Sequence, residues 1–430
     1  MKNNKKGSST ILLSMIFVAF VFMIISSIAI SRRMVLKSQI KSFGRVWSKA
    51  VLSEYDIHLF QDYGLLAFKG NDGETSDKIN RYVDFSFDGR MKSSLEKSGV
   101  CLFGYEMRDP KNFKNSMKNV IKEKAISSII KDEHRIGREE KDISSEDIRK
   151  IKNPVVLETL PSKGSGGAPD ISGIVNILKQ NNKIEKVKNE GVNTAVEVAF
   201  IYKYFDSYLK IADEKKSFFR NEWEYIVSGK PNDEENYKIC RRKIFLIRNA
   251  LNLIYLKSDS EKMALISAAA ELITPGPLSA GTKILLMEVW AAAEAEYDVD
   301  TLVKGGKIPI LKTTDTWETD LGAILDGDKL RKSLSKDEIE NLNKNKKSII
   351  EKEAGKGGKN EGSGYGYEDY LFVLMLSLNQ NTRVLRTMDI VQINMKYRYY
   401  EDFNFEEYYT GLGFSIKMNG HEYEIKDRYK

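Results

Sequence analysis

Residues Ile11 to Ile30 read ILLSMIFVAFVFMIISSIAI, a run with no charge and no proline. At 1.5 Å per residue, a helix of this length covers about 30 Å, the thickness of a bilayer's hydrocarbon core. It is longer than the roughly 7–15 apolar residues of a secretory signal. Ser14, Ser26 and Ser27 are tolerable in it because a hydroxyl can bond back to its own helix. The run therefore predicts a lipid-embedded anchor over residues 11–30, with Ile11, Phe17, Phe20, Ile24 and Ile28 available for lipid and for neighbouring helices. A cleaved signal peptide, with Ala29-Ile30-Ser31 as its junction, is the alternative. Lys2, Lys5 and Lys6 precede the run, and Arg32, Arg33, Lys37 and Lys41 follow it. Counting positive charges alone would place the following chain in the cytoplasm. The very short N-terminal tail instead resembles a signal anchor with its tail inside, and the N-in, C-out orientation expected rests mainly on the family resemblance given below.

The helical pattern does not stop at the bilayer. Leu36, Ile40, Phe43, Trp47 and Ala50 recur at steps of four and three, while Lys37, Lys41, Arg45 and Lys49 fall off that stripe. This is one apolar helical face. LSEYDIHLFQDYGLLAF (Leu52–Phe68) follows. The pattern predicts one helix from about Thr10 to Tyr63, ended by Gly64 in a left-handed cap, with Leu65–Phe68 as a buried strand. RYVDFSFD (Arg81–Asp88) and GVCLFGYEM (Gly99–Met107) are rich in aromatic and β-branched residues and predict further strands.

Beyond them, Lys111–Lys152 is charged and helical in pattern, and PSKGSGGAPD (Pro161–Asp170) has the composition of a flexible linker. Helices are expected across about Ile171–Val303, with Pro275-Gly276-Pro277 between two of them. KIPILK (Lys307–Lys312) reads as a strand, and Leu330–Gly364 as a charged loop. The C-terminal part predicts a helical hairpin with Thr382 as N-cap of its second helix. A β-hairpin around Asn419-Gly420 follows. The expected architecture is α+β: a transmembrane and stalk helix (1–63), a β-rich segment (64–110), a charged helical segment and linker (111–170), a helical domain (171–312), a charged flexible segment (313–364) and C-terminal helices with a β-hairpin (365–430).

The 430 residues carry 68 basic and 61 acidic side chains, a formal net charge of +7. That mixed surplus does not argue for nucleic acid. The aromatic run MKYRYYEDFNFEEYY (Met395–Tyr409) is interleaved with Glu401, Asp402, Glu406 and Glu407, which would repel phosphates. His58, His134 and His421 are far apart, which disfavours a multi-histidine metal site. Cys101 and Cys240 could pair in an exported domain or stand as free thiols. EAGKGGKNEGSG (Glu353–Gly364) lacks the leading glycine and the hydroxyl of a phosphate loop. Its EGSGYG has Glu361 where a nucleophile elbow needs glycine. GNDGETSD and LDGDKL do not match a calcium-loop template. The acidic residues Glu288, Glu294, Glu296, Asp298 and Asp300 around Trp290 read as a charged helix face. No cofactor, metal or small-molecule substrate is expected.

Several motifs together carry a family resemblance. SEYDIHLFQDYGLLAF, EWEYIVSG, RNALNLIYL, VWAAAEAEYDVDTLVKGGKIPILK, YEDYLFVLMLSLN and LRTMDIVQINM follow one another in order. They resemble a family of Gram-positive membrane proteins of unknown biochemical function, found with tight-adherence (Tad/Flp-type) pilus or type II secretion-like gene sets and similar in layout to TadE and TadG pseudopilins. The positions that carry the resemblance are Glu54, Tyr55, Asp56, Tyr63, Gly64, Glu224, Tyr225, Gly229, Asn249, Trp290, Glu294, Asp298, Asp369, Tyr370, Arg386, Asp389, Gln392 and Asn394. The resemblance implies structural roles for them and a non-enzymatic assembly role for the protein, with pilin-like or Tad assembly proteins as partners. One feature departs from type IV pilins: the fifth residue after Gly7 is Leu12, not glutamate. A cell-surface adhesin unrelated to a pilus, or a surface hydrolase, are the alternatives.

Overall fold

A computed structural model describes residues 6–87, 99–122, 136–137, 159–164, 166–181, 192–211, 217–353, 364–418 and 420–429. In chain order the helices are α1 Lys6–Leu52, α2 Ile57–Tyr63, α3 Asp72–Ser86, α4 Pro110–Lys122, α5 Ile171–Asn181, α6 Val192–Tyr204, α7 Glu222–Ser228 and α8 Asp233–Ser258. They continue with α9 Ser260–Ile273, α10 Ser279–Val303, α11 Leu321–Asp326, α12 Asp328–Arg331, α13 Lys336–Glu353, α14 Tyr367–Ser377 and α15 Gln380–Arg398. The strands are β1 Phe68–Lys69, β2 Gly99–Cys101, β3 Ile136–Gly137, β4 Lys210–Ile211, β5 Tyr408–Tyr409, β6 Gly411–Met418 and β7 His421–Arg428. All the sheets are small and antiparallel: β1 with β5, β2-β6-β7, and β3 with β4. The α+β expectation holds. The chain divides into two compact units, one of residues 1–112 and 404–430, the other of residues 113–403.

In the first unit α1 is one continuous helix of 47 residues. Its N-terminal half is apolar and lies wholly exposed, with a mean hydropathy of 2.8 in its most apolar window. The C-terminal half buries Ile40, Trp47 and Val51 against Ile79 and Val83 of α3 and against Phe414, Ile416 and Ile425 of the sheet. Gly44 explains how close the helix comes: a Cβ there would lie 2.3 Å from the Ile425 Cδ1. Phe43, Trp47 and Phe87 form an aromatic cluster with edge contacts at 5.4 and 5.8 Å. The Trp47 indole donates to the Ser86 hydroxyl at 2.9 Å, and the Ser48 hydroxyl to Asp427 at 2.8 Å.

The junction differs from the single helix expected up to Tyr63. The chain leaves the helix after Leu52 and restarts at Ile57, because Asp56 caps α2 by accepting from the Leu59 N–H at 2.8 Å. A mid-helix aspartate competes with the helix backbone in just this way. Gly64 ends α2 with φ 67°, its N–H donating to the Phe60 carbonyl, as the sequence predicts. Of the expected Leu65–Phe68 strand only Phe68 is in one, joined with Lys69 just beyond it as β1.

Arg81–Ser86 is helical, not a strand. Asn71 caps α3, and Ile79, Val83 and Phe87 recur every fourth residue toward the core. Strand alternation would have buried Phe85 with Val83 and Phe87, yet Phe85 is 93% exposed. GVCLFGYEM contributes Gly99–Cys101 to the β2-β6-β7 sheet and, beyond that strand, an isolated bridge from Glu106 to Tyr409. β6 and β7 pair as the predicted hairpin, Met418 opposite His421, with Gly420 at φ 72°; Asn419 lies outside the described residues.

The second unit is helical. Its apolar core joins α8, α9, α10 and α13 around Leu256, Ile266, Ala270, Leu286, Trp290 and Trp317. Trp290 and Trp317 meet edge to face at 5.7 Å. Several expectations change here. Much of Leu330–Gly364 forms α13, whose Leu342 and Ile349 seat in this core; its charged residues are the outer face of an amphipathic helix. KIPILK makes one isolated bridge, Ile308 to Tyr365, instead of a strand. The described part of PSKGSGGAPD is an ordered turn, with Ser162 buried and Lys163 at φ 51°. Asn379, not Thr382, caps α15. Most of the charged stretch 111–152, and residues 354–363, lie outside the described residues.

Candidate functional site

Helices α8 and α10 pack side by side, and their facing residues are not all apolar. Arg248 of α8 and Asp298 of α10 are fully buried and pair at 2.9 Å. Asn252, one turn after Arg248, donates to the same Asp298 oxygen at 3.0 Å. The Arg248 guanidinium also donates to the carbonyls of Pro309 and Ile310 at 2.9 Å each, and to the Tyr370 hydroxyl at 3.0 Å. Lys312, equally buried, reaches Asp298 at 2.8 Å and Glu294 at 2.5 Å. Glu294 then accepts from the N–H groups of Glu318 and Thr319 at 3.1 and 2.9 Å, and from the Thr319 hydroxyl at 2.7 Å. Two cations thus balance two carboxylates. Burial raises the Asp298 pKa, but Arg248 and Lys312 outweigh it and hold the carboxyl below its ordinary value. Glu294 and Asp298 are therefore the anionic half of an internal ion-pair cluster, which corrects their reading as a charged helix face. The cations that meet them are side chains of the chain itself.

A second buried set links α7, α14 and α15. Here carboxyls outnumber their cation partners. Asp389 accepts from the Tyr225 hydroxyl and the Ser162 N–H at 2.9 Å each. Burial pushes its pKa up to about 6, against the pull of those donors and of Arg386. Glu224 accepts from the Tyr208 N–H and the Tyr367 hydroxyl at 3.0 Å each, and burial raises it to about 7. Glu222 accepts from the Asp206 N–H at 2.7 Å and from Asn394 at 2.6 Å. Burial, reinforced by the Asp206 charge, raises it well above the ordinary carboxylate range.

Arg386 donates to the carbonyls of Ile226 and Val227 at 2.8 and 3.0 Å, the last turn of α7, and to Gly167 at 3.1 Å. Gly229 has φ 68°, and a Cβ on it would lie 2.7 Å from the Arg386 Nε; only glycine fits both demands. Arg383 pairs with Glu197 at 2.8 Å, and Lys114 joins the same carboxylate at 3.1 Å.

The other motif positions fall apart from these sets. Asn249 has a buried amide oxygen without a partner among the described residues. The asparagine that serves the Arg248 cluster is Asn252. Asp369 accepts from the Gly366 N–H at the start of α14, and Gln392 reaches the Thr159 carbonyl at 3.5 Å. Trp290 donates to the Thr319 hydroxyl at 3.1 Å. In the first unit Glu54 is exposed and paired with Lys78. Tyr55 bridges to Phe68, and Asp56 also accepts from the Tyr408 hydroxyl at 3.1 Å; Tyr63 is buried. Along α1, Ile11, Phe17, Phe20, Ile24 and Ile28 are exposed, Phe43 is at the margin, and Ile40 and Trp47 are buried; Leu36 packs at the edge of the core. Cys101 and Cys240 are free thiols, exposed and buried respectively. Among the described residues no three His, Cys, Asp or Glu side chains gather as a metal site.

Sequence reasoning missed Arg248, Lys312, Glu197, Arg383, Glu222 and Tyr367. The Arg248/Asn252 spacing was the available signal: an i, i+4 polar pair inside an otherwise apolar helix marks a buried polar contact.

What this arrangement does chemically is fasten loops to helices. Arg248, Lys312 and Glu294 tie down residues 309–319, Asp389 holds the turn at Ser162, and Glu222 with Glu224 holds residues 206–208. The fold defines a helical domain with an ionised interior, in a chain that opens with a long apolar helix. Residues 104–420 match the model of a family of unknown function, DUF5702, and the chain belongs to that family. The match takes in every member of both buried sets and leaves α1 outside. No curated protein and no solved structure matches the chain.

Proposed function

We propose that the protein is a single-pass membrane component of a Tad/Flp-type pilus or type II secretion-like apparatus, in which α1 packs laterally with pilin-like partners while a non-catalytic, extracytoplasmic head makes the specific contacts. The observation that carries this reading is the continuity of α1. One helix passes without a break from an exposed apolar half into a half whose Ile40, Trp47 and Val51 are buried under α3 and the sheet. A cleaved signal would not be expected to share a helix with core residues of the mature protein. Packing between such helices would rest on van der Waals contact along residues 11–30. The rigid interior suits a scaffold: every buried carboxylate named above is held by donors from its own chain.

A photo-crosslinking residue at Phe20 or Ile24 should trap pilin-like neighbours, whereas one at Phe85, exposed on the head, should not. Recovery of the same adducts from both positions would remove the lateral-packing role. The native thiols test orientation. In intact cells an impermeant maleimide should label Cys101, which is exposed, and spare Cys240, which is buried. Labelling of Cys101 only after lysis would reverse the topology.

A further inference from the structure

Where the apolar half of α1 ends, the helix and the start of β7 line a half-open cavity of about 540 Å³. Ile25 and Ile28 form its apolar wall; Arg32, Arg33, His421 and Tyr423 form its polar one. No residue lining it is acidic. Strand alternation puts His421 and Tyr423 on one face of β7 and leaves Glu422 and Glu424 on the other. Arg33 approaches the His421 Nδ1 at 3.4 Å, which leaves most of its N–H donors unused. Arg32 has no carboxylate partner among the described residues. Tyr423 gives the independent sign of a ligand: it is 9% exposed, and its buried hydroxyl has no hydrogen-bond partner among the described residues. A buried hydroxyl left unpaired costs about 1–3 kcal/mol, so its presence calls for an acceptor.

We propose that this cavity binds the phosphodiester headgroup of an anionic phospholipid, one molecule from the leaflet next to the head. The guanidiniums of Arg32 and Arg33 suit a phosphate in charge and in donor geometry. Tyr423 supplies a neutral donor from the buried side, and His421 a second ring nitrogen. Ile25 and Ile28 continue directly into the apolar run, so a glycerol backbone seated between the arginines leaves its acyl chains alongside α1. The site then sets the depth of the anchor in the bilayer and fixes β7 against it. This inference rests on residues 11–30 being a membrane anchor.

The test uses the full chain in bilayer nanodiscs of phosphatidylcholine with about one third phosphatidylglycerol, with retained lipid counted by native mass spectrometry. The wild type should keep phosphatidylglycerol in preference to phosphatidylcholine. Arg32→Gln and Arg33→Gln should each lower that preference roughly fivefold, the scale of one basic contact at an anionic surface. Tyr423→Phe, which leaves the packing intact, should lower it too, and Lys41→Gln, off the cavity, should leave it unchanged. Equal retention by wild type and the Arg32→Gln/Arg33→Gln variant would overturn the proposal. So would displacement of the lipid by soluble glycerol 3-phosphate, which would make the site one for a free phosphate. Alkaline carbonate extraction separates the two readings. A chain released by carbonate fails as an anchored protein, while a chain that stays embedded without a lipid preference fails only at this cavity.

Discussion

In the first unit α1 buries Ile40, Trp47 and Val51 against apolar and aromatic side chains, while in the second α8 buries Arg248 and Asn252 against Asp298. Both are long helices laid on a core. They differ in what happens when one partner is removed. Apolar contacts fail gradually, in proportion to area and cavity. A desolvated ion pair fails abruptly, because the surviving charge has no water to turn to. The comparison predicts a tolerant stalk unit and an intolerant helical unit.

The largest expected effect comes from Asp298→Ala. It strips a carboxylate from both Arg248 and Lys312 and leaves cations in excess of anions in a closed interior. The cost should be about 3–5 kcal/mol. Peptide-resolved hydrogen exchange should show faster exchange across residues 233–326 and no change in residues 36–52 or 411–428. If Asp298→Ala unfolds no more readily than the wild type, the ion-pair cluster does not hold the unit together.

Next is pH. Glu224 is raised from the ordinary 4.5 to about 7 by burial, so between those values the folded chain holds a proton that the unfolded chain has lost. Stability of the second unit should therefore fall as pH rises through that window, by on the order of 3 kcal/mol. Asp389, raised from 3.8 to about 6, acts in the same direction at lower pH. Asp298 acts oppositely: its lowered pKa contributes stability above 3.8 that is lost as pH falls further. Urea midpoints of wild type and Glu224→Gln, measured from pH 4.5 to 7, should diverge in slope, with the variant flatter. Parallel slopes would mean that Glu224 is not the titrating group.

In the first unit the sharper probe is Gly44. Gly44→Val would drive side-chain atoms into Ile425, which already stands 2.3 Å from the position of a Cβ. Overpacking of this kind costs about 1–3 kcal/mol. Because the obstacle is the far end of one flexible side chain, adding Ile425→Ala should restore most of the loss in thermal unfolding. No rescue would show that the helix backbone, not this side chain, is the tight element.

The same contrast decides how far the sequence could be read. The three- and four-residue steps of Ile40, Phe43 and Trp47 have one physical cause, an apolar helical face, and Ile40 and Trp47 are buried on it. Gly64 and Gly420 were legible because a left-handed backbone admits few residues. The ionised interior was not legible in that way. Glu294, Asp298 and Lys312 stand among other charged residues of the same type, and only tertiary placement separates buried Asp298 from Asp300, which is exposed. Strand propensity misled at Arg81–Asp88 for a related reason: aromatic and β-branched residues report on burial, and α3 supplies burial at helical spacing. Charge misled at residues 330–353, where an amphipathic helix presents its polar side and hides Leu342 and Ile349.

The smallest effect isolates burial from charge itself. Arg241 sits on the same helix as Arg248 and makes two ion pairs of comparable length, 2.8 Å to Glu296 and 2.5 Å to Asp300. Its side chain is 32% exposed and its partners more so. The bonds raise its pKa despite partial burial, but exposed partners keep their water when a pair is broken. Arg241→Gln should therefore cost less than about 1 kcal/mol, and that little should vanish in high salt. A salt titration of the urea midpoint is the check. If Arg241→Gln costs as much as Asp298→Ala, the intolerance of the helical unit comes from its number of charges and not from their burial.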